Sequence, residues 1–188
     1  MAQLVDHKSR ILNHVEMLYQ PGERQLAITA YQALGCKVTR TESATMVVHV
    51  SPDGDDTSNN VLYASEVAPE QWELEQALKR VTKKDPELAR TYATYMERYR
   101  SRPHGITHFG IRYSSAEQLE AALAIMEKDL DQALKDRFRV TRVYHPQNPD
   151  ARSKITIQAF ITTDIIAAGF FTFGQLIELQ AKAFGSAE

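Results

Sequence analysis

The 188-residue chain is 43% hydrophobic and 24% charged, with a formal net charge of −2. That composition suits one good-sized domain or two small fused modules, and it lacks the basic excess that phosphate neutralisation needs, so no nucleic-acid partner is expected. A single cysteine, Cys36, excludes an internal disulfide; no apolar run reaches membrane-span length, and Met1–Arg10 has no signal-peptide core, so a soluble cytoplasmic protein with no membrane partner is expected.

Residues 11–19 alternate as a strand, with Asn13, Val15 and Met17 on one face and His14, Glu16 and Leu18 on the other. Pro21-Gly22 breaks it. Glu23 to Leu34 carries the helical stripe Ala27, Ala30, Tyr31 and Leu34, and Gly35 stands at the C-terminal glycine position. Lys37–Thr41 and Thr45–Val50 read as a hairpin. A polar loop of Pro, Asp, Gly and Asn residues follows, and Val61–Val67 is a further strand with Leu62, Ala64 and Glu66 on one face. Pro69 to Lys84 is helical, with Leu74, Leu78 and Val81 as its apolar stripe. Asp85-Pro86 is a helix start, and the helix it opens carries Leu88, Tyr92, Tyr95, Met96 and Tyr99 up to Pro103-His104-Gly105. The two form a helical hairpin whose apolar faces require burial, against the chain or across a homodimer; the tyrosine stripe reads as core or dimer contact, with a lid as the lesser reading.

From Ile106 the chain repeats itself. His108-Phe109-Gly110-Ile111-Arg112-Tyr113 follows the order of His14-Val15-Glu16-Met17-Leu18-Tyr19: histidine, apolar, any, apolar, any, tyrosine. Ser115 with Gln118 makes a capping box for a helix with the stripe Leu119, Leu123, Met126, Leu130 and Leu134. Arg137–His145 and Ser153–Thr163 are strands, the latter with Thr156, Gln158, Phe160 and Thr162 on one side. Asp164–Phe173 reads as an apolar, glycine-containing loop. Gly174–Ala181 is the last strand, with Leu176, Glu178 and Gln180 on one face, and Gly185–Glu188 is a tail.

The fold class is therefore α+β: two βαβββ modules, 11–67 and 105–181, with a helical hairpin insert at 68–104. A histidine on the first strand and a glutamate on the last, twice, is a candidate metal site. Two imidazoles and two carboxylates suit a Zn, Ni, Fe, Mn or Co ion. Each residue also has a plainer reading. A lone strand histidine is usually structural, Glu66 can cap a sheet edge, and Glu178 fits any amphipathic strand. Glu16, two residues from His14, is a rim charge, an orienter of the imidazole or a base. Arg112, on the face of His108, clamps a substrate carboxylate or pairs with Glu16. Cys36 reads as buried and inert.

The paired strands with inward histidines, the closing Gly174-Gln175-Leu176-Ile177-Glu178-Leu179 and the module order resemble the vicinal oxygen chelate superfamily: glyoxalase I, epimerases, extradiol dioxygenases and bleomycin-binding proteins. The resemblance implies that each sheet curls into half a cup, the two cups pairing around one divalent ion. It implies His14, Glu66, His108 and Glu178 as ligands. The implied chemistry is a glyoxalase- or epimerase-like lyase or isomerase acting on a small oxygen-rich substrate, with Glu178 or Glu66 as base. The alternatives are an extradiol-type dioxygenase and a metal-free small-molecule binder. The insert is foreign to the minimal family pattern.

Overall fold

A computed structural model describes residues 12–53 and 59–183; the polar Met1–Arg10 segment, Ile11 of the first expected strand, positions 54–58 of the polar loop and the Gly185–Glu188 tail lie outside the described residues. The strands are β1 (His14–Tyr19), β2 (Lys37–Thr39), β3 (Thr45–His49), β4 (Val61–Glu66), β5 (His108–Arg112), β6 (Phe138–Tyr144), β7 (Thr156–Thr163), β8 (Ile166–Ala167) and β9 (Gln175–Lys182). The helices are α1 (Arg24–Ala33), α2 (Pro69–Lys84), α3 (Pro86–Ser101) and α4 (Ala116–Lys128). The class is α+β, with two open sheets ordered β2-β3-β4-β1-β8 and β5-β9-β7-β6 among the described residues.

The two sheets share a wiring. β1 lies parallel to β4, and β5 lies parallel to β9, while the other pairs are antiparallel. Each sheet has a face of buried apolar residues. Met17, Tyr19, Met46, Val48, Leu62 and Ala64 in the first and Ile157, Ile161, Ile177 and Leu179 in the second join one core with α1 and α4. Helix starts follow local chemistry: the Asp85 side chain accepts from the Leu88 N–H at 2.8 Å, and Ser115 Oγ accepts from the Gln118 N–H at 3.3 Å. α4 ends at Lys128 rather than running to Leu134, because Asp131 caps a separate 3-10 turn, Gln132–Leu134, that still delivers Leu134 to the core.

Polar contacts tie the halves together. Arg137 donates to both oxygens of Glu23 at 2.7 and 3.0 Å, and to Asp164 at 2.8 Å. Those carboxylates, Glu23 foremost, raise the affinity of the guanidinium for its proton. The Tyr113 hydroxyl donates to the Leu34 carbonyl at 2.8 Å, beside Gly35 at φ +78, a backbone state that favours glycine. Burial raises the Tyr113 phenol and pushes the Cys36 thiol up to about 12.

The segment expected as a loop contains β8, which pairs antiparallel with β1 through Leu18–Ala167 and Tyr19–Ile166. The second half thus donates a fifth strand that covers the edge of β1. Of the helical hairpin, α3 packs on the chain through Met96 and Tyr99 of its expected stripe, whereas α2 packs through residues other than its expected stripe. Trp72 of α2 lies with Val67, Ala167 and Phe171, while Tyr99 and Met96 of α3 lie with Phe160 and Leu176 of the second sheet. Leu74, Leu78 and Val81 are 50%, 37% and 54% exposed, so the apolar stripe of α2 faces outward. α2 is anchored instead by buried Glu75, which accepts from Gln71 Nε2 at 3.0 Å, the Thr172 N–H at 2.8 Å and Thr172 Oγ1 at 3.2 Å.

Candidate functional site

The register of the second sheet fixes which side chains meet. His108 lies opposite Leu176, Gly110 opposite Glu178 and Arg112 opposite Gln180; on β7, Thr162, Phe160 and Gln158 lie opposite the same three β9 residues. Alternation puts all nine on one face, away from α4. His108 Nδ1 stands 2.7 Å from the Ile106 carbonyl, which can only accept, so Nδ1 carries a proton. Its Nε2 stands 3.0 Å from Glu178 Oε2. A contact between these two atoms needs one proton between them, held as imidazolium with carboxylate or as imidazole with carboxylic acid. Gln158 Nε2 donates a short hydrogen bond to Glu178 Oε1, and the Gln158 oxygen faces His104 Nε2 at 3.4 Å.

Glu178 is only 6% exposed, and a buried carboxylate needs this polar company to persist in the fold. The surrounding wall is aromatic. Phe160 meets the rings of His108, His104 and Tyr144 at centroid distances of 5.5, 5.0 and 6.0 Å. Gly110, exposed, lies between His108 and Arg112 on this face, and a Cβ built there would come no closer than 3.7 Å to its neighbours, so the glycine relieves no clash. Arg112, exposed, donates to Gln180 Oε1 at 3.2 Å.

The first sheet is built differently at the matching places. His14 is exposed, contacts Asn13 Oδ1 at 2.7 Å and packs its ring 5.0 Å from that of Tyr63. Glu16 accepts from Ser65 Oγ at 3.3 Å, while Arg112, its expected partner, donates to Gln180 instead. Glu66 lies on the opposite side of β4 from the His14 row. It shares the face of Leu62 and Ala64 and accepts from the Gly22 N–H at 2.9 Å. The pairing His14–Val61 explains this: counting by twos along β4 from Val61 gives Tyr63 and Ser65, never Glu66. Of the four expected ligands, only His108 and Glu178 are brought together. No group of three or more His, Cys, Asp or Glu side chains placed to hold a metal occurs among the described residues.

Gln158, His104 and the Ile106 carbonyl complete the site without having been singled out. Gln158 alternates with Phe160 on a strand of apolar residues, and a glutamine buried in such a strand is the one signal the sequence offered. His104 has no counterpart in the first half, so repeat matching passes over it.

No family model, curated protein or solved structure matches the chain. No helix among the described residues is long and apolar enough to cross a membrane.

Proposed function

We propose that this chain is a vicinal-oxygen-chelate-type enzyme in which two βαβββ modules form paired half-cups, and that the His108–Glu178 face of the second sheet acts on a small oxygen-rich substrate. The reaction class is proton transfer beside a carbonyl or carboxylate, as in a lyase or isomerase. The observation that carries the reading is the chain Ile106 carbonyl–His108–Glu178–Gln158, a buried carboxylate oriented through both oxygens beside the exposed Gly110 and Arg112. Glu178 takes the substrate proton. His108 and Gln158 hold its oxygens in place for that transfer. Arg112 anchors a carboxylate or carbonyl oxygen over Gly110, where its charge offsets that developing on the enolate.

The metal reading is supported by one orientation: His108 Nδ1 donates to the Ile106 carbonyl, the usual arrangement of a ligating imidazole. His108 Nε2 and Glu178 Oε2, which face each other, would hold the ion, and it would supply Lewis-acid stabilisation. The four-ligand set expected from the sequence does not fit, since Glu66 lies on the other face of its sheet, so the proton transfer above relies on protein groups alone.

The test is solvent-deuterium uptake, followed by NMR, into a panel of small 2-oxo and 2-hydroxy carboxylates, with and without Zn, Ni, Fe, Mn or Co. Uptake that is lost in Glu178→Gln supports the proposal. Gln at this position can accept from Gln158 and donate to a neutral His108, so the hydrogen-bond frame survives the change. Tight binding of a panel member without any uptake favours the metal-free binder. Oxygen consumption with iron and a catechol favours the dioxygenase.

A further inference from the structure

α2, α3 and the second sheet bound a cavity of about 430 Å³, a size that accommodates a small organic ligand. One wall is apolar, with Tyr92, Met96 and Phe171. The charged lining comprises four cations (Lys79, Arg100, Arg137, Arg139) and two carboxylates (Asp136, Asp164), an excess of 4 − 2 = 2 positive charges. Arg137 is fully engaged by Glu23 and Asp164, and Arg139 reaches Asp136 at 2.8 Å. The other two cations are less engaged. Arg100 makes only a long ion pair with Glu97 at 3.8 Å, and Lys79, with no ion pair among the described residues, has its Nζ 5.3 Å over the Trp72 ring.

Tyr99 adds a second observation. It lines the same cavity, is 3% exposed, and its hydroxyl has no hydrogen-bond partner among the described residues. A buried hydroxyl is rarely left so. Gly174, which also lines the cavity, stands at φ +71, and a Cβ built on it would lie 3.8 Å from that hydroxyl. The cavity is separate from the His108–Glu178 pair. Its lining includes neither His108 nor Glu178; it reaches Thr162 of β7, whereas the pair is met by Gln158 four residues away.

We propose that this cavity binds a small organic anion, its apolar body against Tyr92, Met96 and Phe171 and its carboxylate or phosphate group at Lys79 and Arg100. Both cations are long and free to turn inward, and an anion there gains charge-assisted hydrogen bonds that Arg137 and Arg139 already make elsewhere.

The experiment titrates the intact protein with phenyl phosphate, benzoate, inorganic phosphate and phenol, by calorimetry and by fluorescence. Trp72 is the only tryptophan, and Lys79 covers its ring, so withdrawal of the ammonium to an anion changes its emission. Saturable binding of phenyl phosphate or benzoate is expected, with phenol and inorganic phosphate each weaker; which of the two aryl anions binds tighter separates a phosphate from a carboxylate ligand. The double variant Lys79→Gln/Arg100→Gln should weaken the better ligand by about tenfold or more at unchanged melting temperature, and His108→Ala should leave it bound. The proposal is overturned if neither aryl anion binds, if phenol binds equally well, if the double variant binds as the parent does, or if His108→Ala abolishes binding.

Discussion

Tyr63 holds in the first sheet the place that Glu178 holds in the second. Each lies two residues beyond the partner of the repeat histidine, Val61 for His14 and Leu176 for His108, on the strand that runs parallel to the histidine strand. The same register aligns Glu66 with Ala181, a fully buried core residue of β9. The two halves therefore share a wiring but carry different chemistry: a histidine on a carboxylate in one, a histidine on a phenol ring in the other.

Glu66→Gln should consequently be quiet. Its carboxylate serves the Gly22 N–H, and a glutamine oxygen serves that donor as well. Stability should stay within about 0.5 kcal/mol of the parent by urea unfolding, and deuterium uptake should persist. Loss of uptake in Glu66→Gln with retention in Glu178→Gln would reverse the assignment of the base.

The sequence made legible whatever local chemistry decides. The caps at Asp85 and Ser115 follow from spacing, alternation puts Arg112 on the face of His108, and the meeting of His108 with Glu178 was suggested only by the repeat and the family resemblance. Glu66 was misplaced because alternation groups residues by face without saying which face meets a helix. Leu62 and Ala64 share its face, and that face is the one buried against α1. β8 was not legible since two residues have no period, and its partner β1 lies far away in sequence. The outward stripe Leu74, Leu78 and Val81 shows the same gap: periodicity found an apolar face, but α2 docks through Trp72 and Glu75 instead.

Glu75 makes a second prediction. Glu75→Ala removes the acceptor of the buried Thr172 N–H and leaves that donor without a partner. The expected loss is about 2–3 kcal/mol in chemical denaturation. Glu75→Gln keeps one carbonyl oxygen and should lose less. Equal stability of Glu75→Ala and the parent would mean that α2 is not anchored through this contact.

The Cys36 thiol predicts an alkaline limb. Its value rises from 9.0 in the open chain to about 12 in the fold, with burial as the cause. The protonated thiol is thus favoured by folding. Its contribution is fully present below pH 9.0 and is lost as pH rises toward about 12. Between those limits stability should fall by about 1.4 kcal/mol per pH unit from this group. The buried phenols Tyr31, Tyr99 and Tyr113, also raised by burial, steepen the loss further into alkali. Cys36→Ala should flatten the slope between pH 9 and 10, whatever cavity cost it adds at neutral pH, and the parent thiol should resist a thiol reagent at pH 8 until denaturant is added. An identical slope in Cys36→Ala would dissociate the limb from the thiol.

The outward stripe of α2 argues for a homodimer. Leu74, Leu78 and Val81 recur at spacings of four and three, and all three stay exposed in the single chain. Charge is distributed unevenly along the same helix: Glu70 and Glu73 stand in its first half, Arg80 and Lys84 in its second, and all four are exposed. Two copies of α2 packed antiparallel about a two-fold axis would bury leucine against leucine and set the acidic half of each against the basic half of the other, which is the self-complementarity an isologous interface requires. Sedimentation should therefore show a dimer in the parent and a monomer in Leu78→Glu, with the melting temperature of the dilute protein unchanged because the stripe adds little to the single chain. Glu73→Lys should weaken the dimer by bringing like charges together, and adding Arg80→Glu should restore it. A parent that stays monomeric at high concentration would remove the dimer, and a dimer that tolerates Leu78→Glu would place the interface on another face.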